Sequence, residues 1–238
     1  MRLTAPIHRL RGERGFTLVE LVVAMSAGMV VATGLFTILD VTLHQTTRTF
    51  SRVDATQRAR TALDTIGNEM HSACVEDQVI PIRKDSNANN VIFLSAYGGA
   101  VNPTPQVHKL SFDPVGATLK DTTYTATGNA PNWTYDANTP VQTTTILTNV
   151  AQSGSTPVFQ YYASSATGQV PVTPSGTGLT ETQSETVTEV RITLVVKPAG
   201  GSNEDTSLAP NTVTNSVVLR LTPIPNPGSP GKDFFPCA

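Results

Sequence analysis

Residues 16–39 read FTLVELVVAMSAGMVVATGLFTIL, an apolar run broken by a single carboxylate, Glu20, and ended by Asp40. A helix needs roughly 20 predominantly apolar residues to cross the hydrocarbon core of a bilayer, so this run is expected to span a membrane. The residues before it are short and basic, with Arg2, Arg9, Arg11 and Arg14 against Glu13. Basic flanks stay on the cytoplasmic side, which places everything after residue 40 outside the cytoplasm. Arg48, Arg52, Arg58 and Arg60 follow the span and oppose that bias, so the orientation rests on the leader and its motif as well as on charge.

A secretory signal peptide fits poorly. The apolar run is longer than an ordinary signal core, and no small-x-small cleavage site follows it near Asp40. A plain anchor leaves Glu20 unexplained, because a carboxylate within a membrane helix costs a few kcal/mol on insertion scales and is normally kept for a function. Gly15 closes the basic leader, and residues 15–24 read GFTLVELVVA. This decapeptide resembles the prepilin signature of type IV pilins and type II secretion pseudopilins.

The resemblance implies cleavage between Gly15 and Phe16 by a membrane prepilin peptidase and N-methylation of the new Phe16 amine. In the family, a glutamate at the Glu20 position is held to pair with the N-terminal amine of a neighbouring subunit. Opposite charges attract strongly in an apolar setting but recover their desolvation cost only when aligned, so the pair would set subunit register. Many major pilins carry a proline partway along this helix, and here there is none. Gly28 and Gly34 are its weak points; they permit either local unwinding or close helix packing.

From Val41 to Cys74 no proline occurs and Gly67 is the only glycine. Phe50, Val53, Leu63, Ile66, Met70 and Ala73 share spacings suited to one helix face, with Arg52, Arg58, Asp64 and Glu69 on the others. This predicts that the helix continues as an amphipathic element with one side on a core. Beyond it, residues 91–96, 108–112, 143–150 and 157–162 are predicted strands. In 187–197 and 213–221, Val190, Ile192, Leu194, Val217, Leu219 and Leu221 alternate with other residues, the period of half-buried strands. A loop rich in Gly, Pro and Ser joins those two segments and suits an antiparallel pair.

The expected fold is α+β and pilin-like: a long N-terminal helix, membrane-spanning in its first half, packed on an antiparallel β-sheet. The expected domains are a leader at 1–15, a transmembrane and filament-core helix at 16–40, its exported half at 41–75, and a β-rich head at 76–238. Regions 98–107, 120–142 and 163–186 are expected as surface loops or short irregular strands, and the proline-rich 223–236 as an extended tail. The stretch RARTALDTIGNEMHSA and the order of an FQYY strand before two late apolar strands are similar to PilW-like minor pilins and J-type pseudopilins.

Cys74 and Cys237 are the two cysteines. Outside the cytoplasm disulfides persist, so a Cys74–Cys237 bridge tying the tail to the helix is expected. No GxSxG, HExxH or P-loop is present, and catalytic residues, cofactors and metals are expected to be none. His44, His71 and His108 lack metal-ligand spacing and are taken as surface or interface residues. Asp85, Asn87 and Asn89 imitate the start of a calcium loop, but Asn90 and Ala96 stand where that loop needs Gly and Glu, so a polar turn is expected. Asn132-Trp133-Thr134 fits a glycosylation sequon, and Trp133 suits either an exposed contact or a local packing anchor.

The net charge of −2 leaves no electrostatic footprint for nucleic acid. Removing residues 1–15 takes away four Arg and one Glu and brings it to −5. These features imply a minor pilin of a type IV pilus that assists assembly or initiation. The alternatives are a J-type minor pseudopilin of a type II secretion system and an adhesive or DNA-uptake binding pilin. An enzyme is not expected. The implied partners are the prepilin peptidase, other major and minor pilins, the platform protein with its assembly ATPase, and the membrane. The expected location is the cytoplasmic membrane and then the pilus or cell surface.

Overall fold

A computed structural model describes residues 15–73, 81–95, 105–128, 133–198 and 210–219. It contains one long helix, α1 (Leu18–His71), followed by β1 (Asn90–Ser95), β2 (Gln106–Asp113), β3 (Thr118–Thr125), β4 (Gln142–Thr148), β5 (Val150–Ala151), β6 (Phe159–Ser165), β7 (Gly168–Val172), α2 (Glu181–Thr186), β8 (Val187–Val196) and β9 (Asn211–Val218). The chain divides into two compact units, Met1–Thr49 and Phe50–Ala238.

In the first unit Thr17 stops the incoming chain and starts the helix. Its hydroxyl oxygen accepts the Glu20 backbone N–H at 3.3 Å, satisfying a donor that has no partner within the helix. The apolar side chains that follow, Leu18 to Leu39, are exposed within the single chain. The most apolar 18-residue window of α1 has mean hydropathy 2.1 and none of it is buried. Its polar side chains look after themselves: Thr33 donates to the Met29 carbonyl at 2.8 Å and Thr37 to the Thr33 carbonyl at 2.9 Å. Hydroxyls bonded back to the preceding turn leave no unsatisfied donor in an apolar surrounding.

In the second unit the later turns of α1 bury Ala55, Ala59, Ala62, Leu63, Ile66, Gly67 and Met70. These recur three, four and seven residues apart, one stripe of a helix. The stripe differs from the expected one. Leu63, Ile66, Met70 and Ala73 are buried as expected, but Phe50 and Val53 are 69% and 48% exposed. Alanines take their place, because small side chains let the helix approach the sheets closely while the large ones face outward.

Two antiparallel sheets replace the single one expected. The first has the order β1-β2-β3-β4. In the second, β8 pairs with β9 along one edge, from Glu189 to Val196. Its other edge is shared: β6 occupies Val187–Ile192, β5 takes Val195–Val196, and β7 extends the sheet from β6. A ten-residue strand is long enough to hold two short partners end to end. The chain crosses between sheets at Asn149, whose φ of 58° turns the backbone between β4 and β5. The expected pairing of the two late apolar segments is present as β8 and β9.

Between the sheets and α1 lies the main core. Val91, Phe93, Leu110, Phe112 and Leu119 come from the first sheet, and Phe159, Tyr161, Val190, Ile192, Leu194, Val196 and Val217 from the second. A smaller cluster of Ile92, Leu94, Val107, Tyr124 and Ala126 occupies the other face of the first sheet, with Trp133 and Tyr135 against it. That is why β1 carries unbroken apolar sequence rather than alternation. Tyr161 brings a hydroxyl into the core and donates it to the Asn87 and Asn90 carbonyls at 3.0 and 2.7 Å. Burial pushes its phenol pKa well up, so it stays a donor.

Three expected boundaries are corrected. Residues 120–125, expected as surface loop or short irregular strand, are the body of the regular strand β3; β2 begins at Gln106; and α2 lies inside 163–186. In β3 Leu119 and Asp121 share the inward face and Tyr124 joins the smaller cluster on the opposite one, so a buried carboxylate breaks the inward series and hides the apolar period. A complete capping box starts α2: Thr180 and Gln183 each bond the other's backbone N–H. Residues 74–80, 96–104 and 220–238 lie outside the described residues, so the expected tail and the Cys74–Cys237 pair do too.

Candidate functional site: the processed N-terminus and its helix

Gly15 and Phe16 precede α1 and are not helical, and Phe16 is 83% exposed. The scissile bond expected between them therefore lies in accessible chain just ahead of the helix cap. A side chain added at Gly15 would meet nothing within 4 Å. Any demand for glycine there must come from an enzyme that binds the segment, not from this chain's own packing. The same open space surrounds Gly28 and Gly34.

Glu20 sits in the first turn of α1, close to the Thr17 hydroxyl at 3.5 Å, and is exposed. It has no cationic partner among the described residues. An exposed carboxylate in the first turn of an apolar helix has the chemistry to pair with a cationic group. The first turn also carries partial positive charge from its free N–H groups, which favours an anion at this place.

The other sequence candidates divide. His44 is exposed and bonds the Asp40 carbonyl at 2.9 Å, and His71 is exposed. His108, expected at the surface or an interface, is buried within the chain: it is 8% exposed and stacked on Phe93, with ring centroids 5.3 Å apart. The Asp85–Asn90 segment is a turn in which Asn87 Oδ1 accepts the N–H groups of Asn89 and Asn90 at 2.9 and 3.1 Å. Trp133 is a packing anchor: its carbonyl accepts the Arg83 guanidinium at 2.7 Å while its ring covers the smaller cluster. Asn132 lies outside the described residues.

One constellation escaped sequence reasoning. His108 on β2 bonds Asp121 on β3 through Nδ1 and Oδ2 at 3.0 Å, and Glu69 from the last turns of α1 joins them. The three supply one ligand-type atom each, all within 4.8 Å of one another. Burial, and then the Asp121 charge, raise the Glu69 pKa, while His108 offsets them in part. Because the residues come from three elements, no local spacing announces them. The only signal was a histidine in predicted strand sequence.

The family described as "Prokaryotic N-terminal methylation motif" matches residues 10–36, which cover the end of the leader, Gly15, Phe16, Glu20 and most of the apolar run. No curated protein matches the chain. The match carries processing by a prepilin peptidase and assembly with other pilins, and with the exposed apolar helix it supports membrane anchoring. Members bearing this motif are structural subunits rather than enzymes. Through residues 10–36 the chain is similar to proteins that carry this methylation motif, which supports a type IV pilin-like or pseudopilin subunit.

Proposed function

We propose that this protein is a minor pilin-like subunit that assists assembly or initiation of a type IV pilus after its leader is removed. Cleavage after Gly15 frees the Phe16 amine, which is then methylated. Residues 16–40 hold the subunit in the cytoplasmic membrane with its N-terminus inside and the head outside, and later line the filament core. Glu20 pairs with a neighbouring Phe16 amine and fixes register. The platform protein and assembly ATPase act on the filament as a whole.

The observation that supports this most is the helix. Its 18-residue apolar window is wholly unburied, yet it bears one acidic side chain near the new terminus. A lipid anchor alone has no use for that carboxylate; a bundle of such helices does. The large head with long polar loops favours a minor over a major subunit. The J-type pseudopilin remains the second reading, favoured by the same FQYY strand and late apolar strands, now β6, β8 and β9. An adhesive or DNA-binding role has less behind it, since the processed chain carries net charge −5.

Deleting the gene in the source cell and complementing it with the parent or Glu20→Ala tests the proposal. Lost surface filaments with intact protein secretion, restored by the parent only, support the pilus reading. Lost secretion with intact filaments moves the protein to the secretion system. Normal incorporation of a normally processed Glu20→Ala subunit removes the role given to that carboxylate.

A further inference from the structure

We propose that Glu69, His108 and Asp121 form a binding site for one first-row transition dication, zinc foremost, which ties the end of α1 to the first sheet. The donors are one imidazole nitrogen and two carboxylate groups. This set suits zinc, which takes nitrogen and oxygen ligands at about 2.0–2.2 Å and completes a tetrahedron with water. It does not suit calcium or magnesium, which prefer oxygen alone.

Geometry supports the assignment. Two ligands on a tetrahedral zinc lie about 3.4 Å apart, and Nδ1 of His108 and Oδ2 of Asp121 are already 3.0 Å apart. The atoms of the trio span up to 4.8 Å, so the Glu69 side chain has to swing inward by little more than an ångström. It stands on the helix's last turns and is only half-buried, which leaves it that freedom.

An independent observation points to a missing partner. Asp121 is 8% exposed, yet its Oδ1 is buried with no hydrogen-bond partner, and Glu69 Oε2 is in the same condition. Buried carboxylate oxygens without donors are costly and uncommon. A hydrogen bond to one histidine serves a single oxygen of the four. A dication would satisfy the orphaned oxygens and offset the two like charges together. The His108 ring is already held in place by stacking on Phe93, so it is oriented before a metal arrives.

The test uses the full chain purified in detergent, stripped with a chelator and titrated with zinc chloride against a chromophoric competitor. Metal content is counted by mass spectrometry. The expected result is one zinc per chain, a higher unfolding temperature with zinc than without, and no comparable effect of calcium chloride. Glu69→Gln and Asp121→Asn each weaken zinc binding at least about tenfold, since even residues behind metal ligands cost that much. Glu69 is half-buried and its replacement keeps shape, so a folded variant is expected there even where Asp121→Asn fails. Zinc uptake must persist in the Cys74→Ser, Cys237→Ser double variant. No zinc binding, binding untouched by Glu69→Gln in a folded chain, loss only with the cysteines, or a preference for calcium would each overturn the proposal.

Discussion

Ile66 and Phe50 lie on one helix, and the structure predicts opposite consequences of shortening them to alanine. Ile66 is fully buried in the main core between α1 and the sheets, whereas Phe50 is 69% exposed. Truncating a buried isoleucine costs about 2–5 kcal/mol through lost transfer energy and the cavity left behind. At about 1.4 kcal/mol per decade, the folded-to-unfolded ratio falls between about 30-fold and about 4000-fold. With a urea slope of about 2 kcal/mol per molar, a loss of 3 kcal/mol lowers the midpoint by about 1.5 M. Trp133 is the single tryptophan and packs on the smaller cluster, so its fluorescence follows unfolding of the head in detergent-solubilised full chain. Phe50→Ala should move that midpoint by less than about 0.3 M, because exposed substitutions cost within about 0.5 kcal/mol. Under the proposed filament role it should instead reduce incorporation, because the exposed ring is available to a neighbouring subunit. Equal midpoint shifts for the two variants, or an unmoved midpoint in Ile66→Ala, would refute the assignment of the buried stripe.

Three further outcomes follow from single positions. Gly178 has φ of +126°, and a Cβ there would sit 2.7 Å from the Asp85 backbone; Gly178→Ala should destabilise the head by at least about 1–3 kcal/mol in the same urea titration, and a neutral result would contradict that close approach. Tyr161→Phe removes the donor shared by the Asn87 and Asn90 carbonyls and should cost about 1–3 kcal/mol, read as a lower thermal midpoint with unchanged circular dichroism. If Cys74 and Cys237 are joined outside the cytoplasm, the unreduced chain lacks free thiols by mass spectrometry, and reduction lowers stability by up to about 5 kcal/mol for a loop of that length; two free thiols would end the disulfide.

Much of the architecture was legible because it is periodic. The alternation through Val190, Ile192 and Leu194 announced β8, and the long apolar run around Glu20 announced the first part of α1. The errors share a cause. A sequence pattern finds large apolar residues, so Phe50 and Val53 were placed on the core face while Ala55 and Ala59, which are fully buried, went unnoticed. Likewise β3 was hidden because one of its inward positions is Asp121. The second sheet was invisible because only Asn149 marks the crossing between β4 and β5. The N-terminal motif was readable since an enzyme must read it as a linear segment. The Glu69–His108–Asp121 trio exists only once α1, β2 and β3 are brought together.

The central claim is that the chain enters the pilin pathway through cleavage at its leader. The most direct measurement is the N-terminal sequence and mass of the product made with and without a prepilin peptidase. The account predicts a mature chain beginning at N-methylated Phe16 when the peptidase is present, and an uncut precursor for Gly15→Leu. A Cβ at that position meets nothing within 4 Å among the described residues, so a block would point to the peptidase. An intact leader in the presence of the peptidase, or a cut beyond residue 39, would contradict the account and leave a simple anchored or secreted protein.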